Sequence, residues 1–158
     1  MADYFTNFSL VVPLETEDQQ TYALELAHKA GKAQQGDIVP EDFPKALVHA
    51  IEDWQFETEA DTSATSYGLW LHSEYGGVDA VCVFIQHLLQ KFELKSCVAF
   101  EWSHDCSKPR EDAYGGGAAI ITAKKVKTMS TGGWVSKQIA SHKHRIARKS
   151  KHHQPPAT

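Results

Sequence analysis

Apolar residues recur at two periods along the chain, and these periods divide it into strands and helices. Phe8, Leu10, Val12 and Leu14 alternate with less apolar neighbours, which predicts a first strand over residues 4–14, with Pro13 placing it near an edge or an end. Thr16 followed by Gln19 has capping-box spacing, Glu17 and Asp18 suit the positive start of a helix, and Gly31 offers a stop. Residues 17–30 should therefore form the first helix. After a connection over 32–40, Phe43, Leu47, Ala50, Ile51 and Trp54 return at helical spacing and predict a short second helix.

Trp54, Phe56, Thr58 and Ala60 alternate with Gln55, Glu57 and Glu59, as a half-buried strand should. A loop over 61–66 then leads into a second strand over 67–72, completing a hairpin. Gly76 and Gly77 break it, and Val78, Val81, Ile85, Leu88 and Phe92 define the clearest amphipathic helix of the chain. Val98, Phe100 and Trp102 alternate again, and residues 118–123 with Val126 form a returning strand. From Thr131 onward, Val135, Ile139, His142 and Ile146 share one stripe of a basic helix, and residues 151–158 carry a composition expected to be disordered.

With the short helix set aside, the order is β-α-β-β-α-β-β. This predicts an α+β fold with an antiparallel-rich sheet and helices on one face, in the manner of a split βαβ or ferredoxin-like sandwich. Residues 1–134 are expected to form one domain and residues 135–158 a basic helical to disordered tail. A chain of 158 residues with 42% hydrophobic positions can bury a core of that size. Its apolar runs are too short to cross a bilayer, and its start lacks the pattern of a secretory leader. A cytoplasmic protein with no membrane contact is the expectation.

Charge changes this picture. The chain has a net charge of −4, but all 20 Asp and Glu and only 7 of the 16 Lys and Arg fall at or before Asp112. The body is thus strongly acidic and the last third strongly basic. Such polarity suits a tail that binds nucleic acid through residues such as Lys143, Arg145, Arg148 and Lys149, or one that docks on its own acidic body. Aromatic residues stop at Trp134, so base stacking has no support.

The densest chemistry lies between Glu101 and Gly117. Trp102, His104, Asp105, Cys106, Lys108, Arg110 and Tyr114 run into Gly115, Gly116 and Gly117, three residues that allow close backbone approach. The three cysteines lack CxxC spacing, so neither a disulfide framework nor a zinc site is indicated. Cys82 and Cys97 read as buried, inert thiols. Cys106, beside cations and His104, is the candidate nucleophile of a small cysteine-dependent enzyme.

The reading preferred over catalysis is a binding or interaction module that uses the 101–117 segment. Trp70, Trp102 and Tyr114 would supply aromatic area, His72, Glu101, Lys108 and Arg110 polar contacts, and the three glycines backbone access. Its ligand would be a protein or a small anion; neither a cofactor nor a metal is called for. A nucleic-acid accessory role through the tail is the third reading. A homodimer is compatible with an exposed edge strand.

Several of these segments resemble a family of small, uncharacterised bacterial and phage-associated proteins. They are Tyr4-Phe5-Thr6, Gly68-Leu69-Trp70-Leu71-His72-Ser73-Glu74, Phe100-Glu101-Trp102, Cys106-Ser107-Lys108-Pro109-Arg110 and Tyr114-Gly115-Gly116-Gly117. The resemblance covers roughly residues 2–134. It implies a domain type and a mobile-element context, with no established activity, and leaves out the basic tail.

Overall fold

A computed structural model describes residues 1–62 and 67–152. Six strands form one antiparallel sheet: β1 (Tyr4–Pro13), β2 (Glu57–Asp61), β3 (Gly68–Ser73), β4 (Val98–Cys106), β5 (Gly115–Ile121) and β6 (Val126–Ser130). Their order across the sheet is β2-β3-β1-β4-β5-β6. Helices α1 (Glu17–Gln34) and α2 (Val78–Lys91) and a 3₁₀ helix (Lys45–Asp53) connect the strands, and α3 (Thr131–Lys151) follows β6.

The chain is α+β, and its first four strands have the split βαβ arrangement. β1 and β2 are joined through α1 and the 3₁₀ helix but are separated by β3. β3 and β4 are joined through α2 but are separated by β1. β5 and β6 extend the sheet beyond β4.

Local chemistry explains most boundaries. Thr16 Oγ1 accepts from Gln19 N at 3.2 Å and Gln19 Oε1 accepts from Glu15 N at 2.9 Å, so the expected reciprocal cap opens α1. The helix continues through Gly31 to Gln34, one turn past the expected stop, and the left-handed turn falls instead at Gly36 (φ +110°). A single glycine inside a helix weakens it by only about 1 kcal/mol, which neighbouring contacts can offset. The short second helix is 3₁₀, and the strand after it begins at Glu57, with buried Trp54 and Phe56 ahead of it.

Gly77 (φ +85°) begins α2 without a side-chain cap. Asp53, from the end of the 3₁₀ helix, supplies one, its Oδ2 accepting from Ala80 N at 3.4 Å. Burial holds the Asp53 carboxyl above its usual range.

The returning strand is in fact two strands. Thr122 N donates to Lys125 O at 2.9 Å and Lys125 N donates to Thr122 Oγ1 at 3.0 Å, which turns the chain between β5 and β6. Gln86 and Gln90 of α2 donate to the carbonyls of Thr122 and Ala123 at 3.2 and 2.8 Å, fixing that turn to the helix layer. β4 likewise runs to Cys106, so much of the segment expected as a loop is a β-hairpin whose connection is only residues 107–114. The expected loop over 61–66 and the expected disorder over 151–158 fall partly outside the described residues; Lys151 closes α3 and His152 caps it.

The core lies between the sheet and α1, α2 and the 3₁₀ helix. Val12, Leu69, Leu71, Phe84, Ile85, Leu88, Leu89 and Ile121 are fully enclosed, and among the described residues no polar or charged residue is buried. Apolar packing therefore holds these layers together. The edge strand β2 has only five residues, three of them the carboxylates Glu57, Glu59 and Asp61.

α3 stands apart from this packing. Its cap is sound, with Ser130 Oγ accepting from Gly133 N at 3.1 Å, yet none of its 21 residues is buried. Its principal contacts with the domain are to β5 and β6, the strands at its base, and Trp134 and Lys137 near its start border a concavity with Val78, Asp79 and Trp102. As far as His152, no residue of the basic tail is buried against the acidic body.

Candidate functional site

Registers between strands decide which residues share a face. Phe8, Leu10 and Val12 point to the helices, and with them Leu69, Leu71, Val98, Phe100, Ala119 and Ile121. The opposite face carries the alternate positions and, among the described residues, has no helix packed over it. There Val11 is opposite Trp70, Ala99 is opposite Ile120, and Ala118 is opposite Met129. Val11 is 47% exposed, Trp70 38%, Ile120 50% and Met129 49%, so this is apolar surface in contact with solvent.

Carboxylates lie among these side chains. Glu59 is opposite Trp70, Glu57 is opposite His72, and Glu101 is opposite Ala118. Lys127, opposite Ile120, is the one Lys or Arg in the paired positions of this face.

A short hydrogen-bonded series holds Trp70 in place. Its Nε1 donates to Ser9 Oγ at 2.9 Å, its ring stacks on His72 with centroids 4.0 Å apart, and His72 Nε2 is 3.1 Å from Glu59 Oε1. An aromatic ring fixed in this way presents its area with little further loss of conformational freedom on binding.

The residues nominated from the sequence divide across this geometry. Trp70, His72 and Glu101 belong to the helix-free face. Trp102 is on the other face, half-buried, with Phe100 5.6 Å away between centroids. Gly115 and Gly117 pair with His104 and Trp102, whereas Gly116 pairs with Ser103 on the helix-free side. Lys108, Arg110 and Tyr114 are exposed at the far end of the hairpin, where Arg110 Nη1 donates to Tyr4 Oη at 3.4 Å. Glu101, Trp102 and the three glycines border one concavity of about 610 Å³ with Ala118 and Met129, whereas Trp70, His72, Lys108, Arg110 and Tyr114 lie outside it.

The glycines do allow close approach. A Cβ on Gly116 would collide with the Trp102 carbonyl, and one on Gly117 with the Trp102 indole and the Met129 carbonyl. Gly115 holds φ +154°, and Thr131 Oγ1 both donates to Gly116 O at 3.2 Å and accepts from Gly116 N at 3.0 Å. What approaches these glycines is the neighbouring strand, its tryptophan and the start of α3.

His104 and Cys106 lie two residues apart on β4 and therefore on one face. The imidazole Nδ1 is 2.9 Å from Thr6 Oγ1, and among the described residues no hydrogen bond or ion pair joins Cys106 to a histidine or a cation. The neighbouring Asp105 accepts from Asn7 Nδ2 at 3.1 Å. Among the described residues, no group of three or more His, Cys, Asp or Glu side chains is placed to hold a metal ion.

Cys97 corrects the sequence reading. It is exposed, one residue ahead of β4, while Cys82 is buried and its thiol is pushed up to about 11, mainly by desolvation and then by Asp79. Alkylation of the native protein with iodoacetamide should therefore label Cys97 and Cys106 and spare Cys82, as read by peptide mass mapping. Early labelling of Cys82 would show that α2 opens far more readily than its burial allows.

Sequence reasoning missed Val11, Ala118, Ile120 and Met129 as a surface. Each was legible as an alternate position in a strand, but their adjacency depends on register between strands far apart in sequence. A second concavity of about 500 Å³ lies between α1 and β2, bordered by Ala27, Lys32, Phe56 and Tyr75. No known protein family, curated protein or solved structure matches this chain. Among the described residues, no helix is long and apolar enough to cross a membrane.

Proposed function

We propose that this protein is a protein-binding module whose recognition surface is the helix-free face of the sheet, from Trp70 across Val11, Ala99 and Glu101 to Ile120 and Met129. The observation that carries this reading is the set of apolar cross-strand pairs left in solvent among carboxylates. An exposed apolar patch bordered by charge is the mark of a surface made for a macromolecule.

The face is open and shallow, which suits a polypeptide more than a small ligand; small-molecule sites enclose most of their occupant. Trp70 is the natural anchor, since fixed aromatic side chains dominate binding energy at such surfaces. The acidic side chains favour a partner with cationic groups around an apolar stripe. Compared with the reading from sequence, the recognition surface moves from the tip of the 101–117 hairpin to its flank.

Photo-cross-linking in cells tests the reading. Benzoylphenylalanine introduced at Ile120 should trap a polypeptide, whereas the same group at Glu52, exposed on the 3₁₀ helix, should not. Equal capture at both positions, or capture of no polypeptide at Ile120, would overturn it.

A further inference from the structure

The second uncovered apolar surface of the molecule is α3. Val135, Ile139 and Ile146 are exposed along one stripe, with His142 between them, and Trp134 is exposed at the base. The helix contains six Lys and Arg and no Asp or Glu. Helices of this length are seldom stable in water on propensity alone, and most gain their stability by covering an apolar face.

We infer that α3 docks on the helix-free sheet face of a second copy of this chain, so that two copies exchange their C-terminal helices. The inference rests on the reading of that face as a protein-binding surface and names its occupant.

Three observations carry it. The first is charge: a helix with six cations meets a face bearing Glu57, Glu59 and Glu101, with Lys127 as its paired cation. Opposite potentials across a contact steer encounter and fix orientation. The second is size. From Val135 to Ile146 the stripe rises about 16 Å at roughly 1.5 Å per residue. From Trp70 on β3 to Ile120 on β5 the face spans three strand spacings, about 14 Å. The third is placement: α3 leaves the sheet directly from β6 and none of its residues is buried on its own domain, so the half-exposed stripe of Val135, Ile139 and Ile146 is open to another molecule.

Pairing of α3 with α3 is less favourable. Its heptad seam would place His142 and Lys149 beside Val135, Ile139 and Ile146 over only about two heptads, short of the three or four that mark a coiled coil. It would also bring two strongly basic helices together. Gly132 and Gly133, in the first turn of α3, give the arm a point at which its direction can adjust; a Cβ on Gly132 would meet nothing within 4 Å.

Sedimentation velocity of the full chain tests the exchange. The wild-type chain should sediment as a dimer, and Ile139→Asp on α3 and Ile120→Glu on the face should each raise the dimer dissociation constant by about tenfold or more, roughly 1.4 kcal/mol. Arg145→Glu and Glu101→Lys, which alter exposed positions, should weaken it in the same direction if the apolar variants fold poorly. Mixing the Ile139→Asp and Ile120→Glu chains should restore a heterodimer, because one intact helix then meets one intact face.

A chain that stays monomeric at all concentrations overturns the inference, even if Ile120 cross-links to another protein and so leaves the binding-module reading standing. A dimer indifferent to Ile120→Glu and Glu101→Lys would mean helix-to-helix pairing and also overturns it. So does a monomer that binds duplex DNA through α3 with steep salt dependence.

Discussion

Gly116→Ala and Gly117→Ala should each destabilise the domain by roughly 1–3 kcal/mol, the range for forcing extra atoms into a packed region. The cause is the clash of the new methyl with the Trp102 carbonyl in the first case, and with the Trp102 indole and the Met129 carbonyl in the second. A backbone carbonyl held in a sheet cannot swing aside as a surface side chain can. The β4–β5 ladder, or the half-buried Trp102 that packs across it, has to move instead. Thermal unfolding should fall by several degrees, at about 2–4 °C per kcal/mol for a chain near this length. Gly132→Ala serves as the control: that position is open, and alanine should stabilise α3 by up to about 1 kcal/mol. If Gly116→Ala and Gly117→Ala behave like Gly132→Ala, the close packing of the hairpin is refuted.

Phe84→Ala should have the larger effect, about 3–5 kcal/mol, as expected for removing an aromatic ring from a core. Phe84 is fully buried on α2, and its ring lies 5.1 Å from that of Trp54 and 6.2 Å from that of Phe56. Those two partners come from the segment between the 3₁₀ helix and β2, so one ring ties the helix layer to the outer part of the sheet. Against a total stability of roughly 5–15 kcal/mol, the loss leaves a marginal domain. Urea denaturation should show the midpoint falling at an unchanged slope. A loss below about 1 kcal/mol would mean that the cavity collapses without resistance, contrary to the enclosure seen here.

The elements that could be read from sequence are those whose pattern is local. The spacing from Val78 to Phe92 gave α2, and alternation gave the core faces of β1 and β4. The same alternation, carried one residue back from Val98, places Cys97 on the solvent side, so its exposure was legible although its apolar surroundings suggested burial. β6 was hidden for a different reason. Its turn is built from Thr122, Ala123, Lys124 and Lys125, without the Gly, Asn or Pro that advertise most turns, and its stability comes from the Thr122 side chain and two glutamines of α2. The candidate surface was hidden because it exists only once β1, β3, β4, β5 and β6 are set side by side. The 101–117 segment is chemically dense because a hairpin needs tight glycines and a polar turn; Glu101, Trp102 and the glycines border one concavity, while Lys108, Arg110 and Tyr114 sit apart from it at the hairpin end.

The brevity and charge of β2 bear on how copies of this chain can meet. An exposed strand edge is a template for ladder growth, and growth of that kind has no natural end. Five residues carrying three carboxylates make a poor template, because a second copy aligned edge to edge would bring like charges together. Open-ended, fibril-like stacking of sheets is disfavoured at that edge, and crowded solutions of the folded protein should resist amyloid-type aggregation from it.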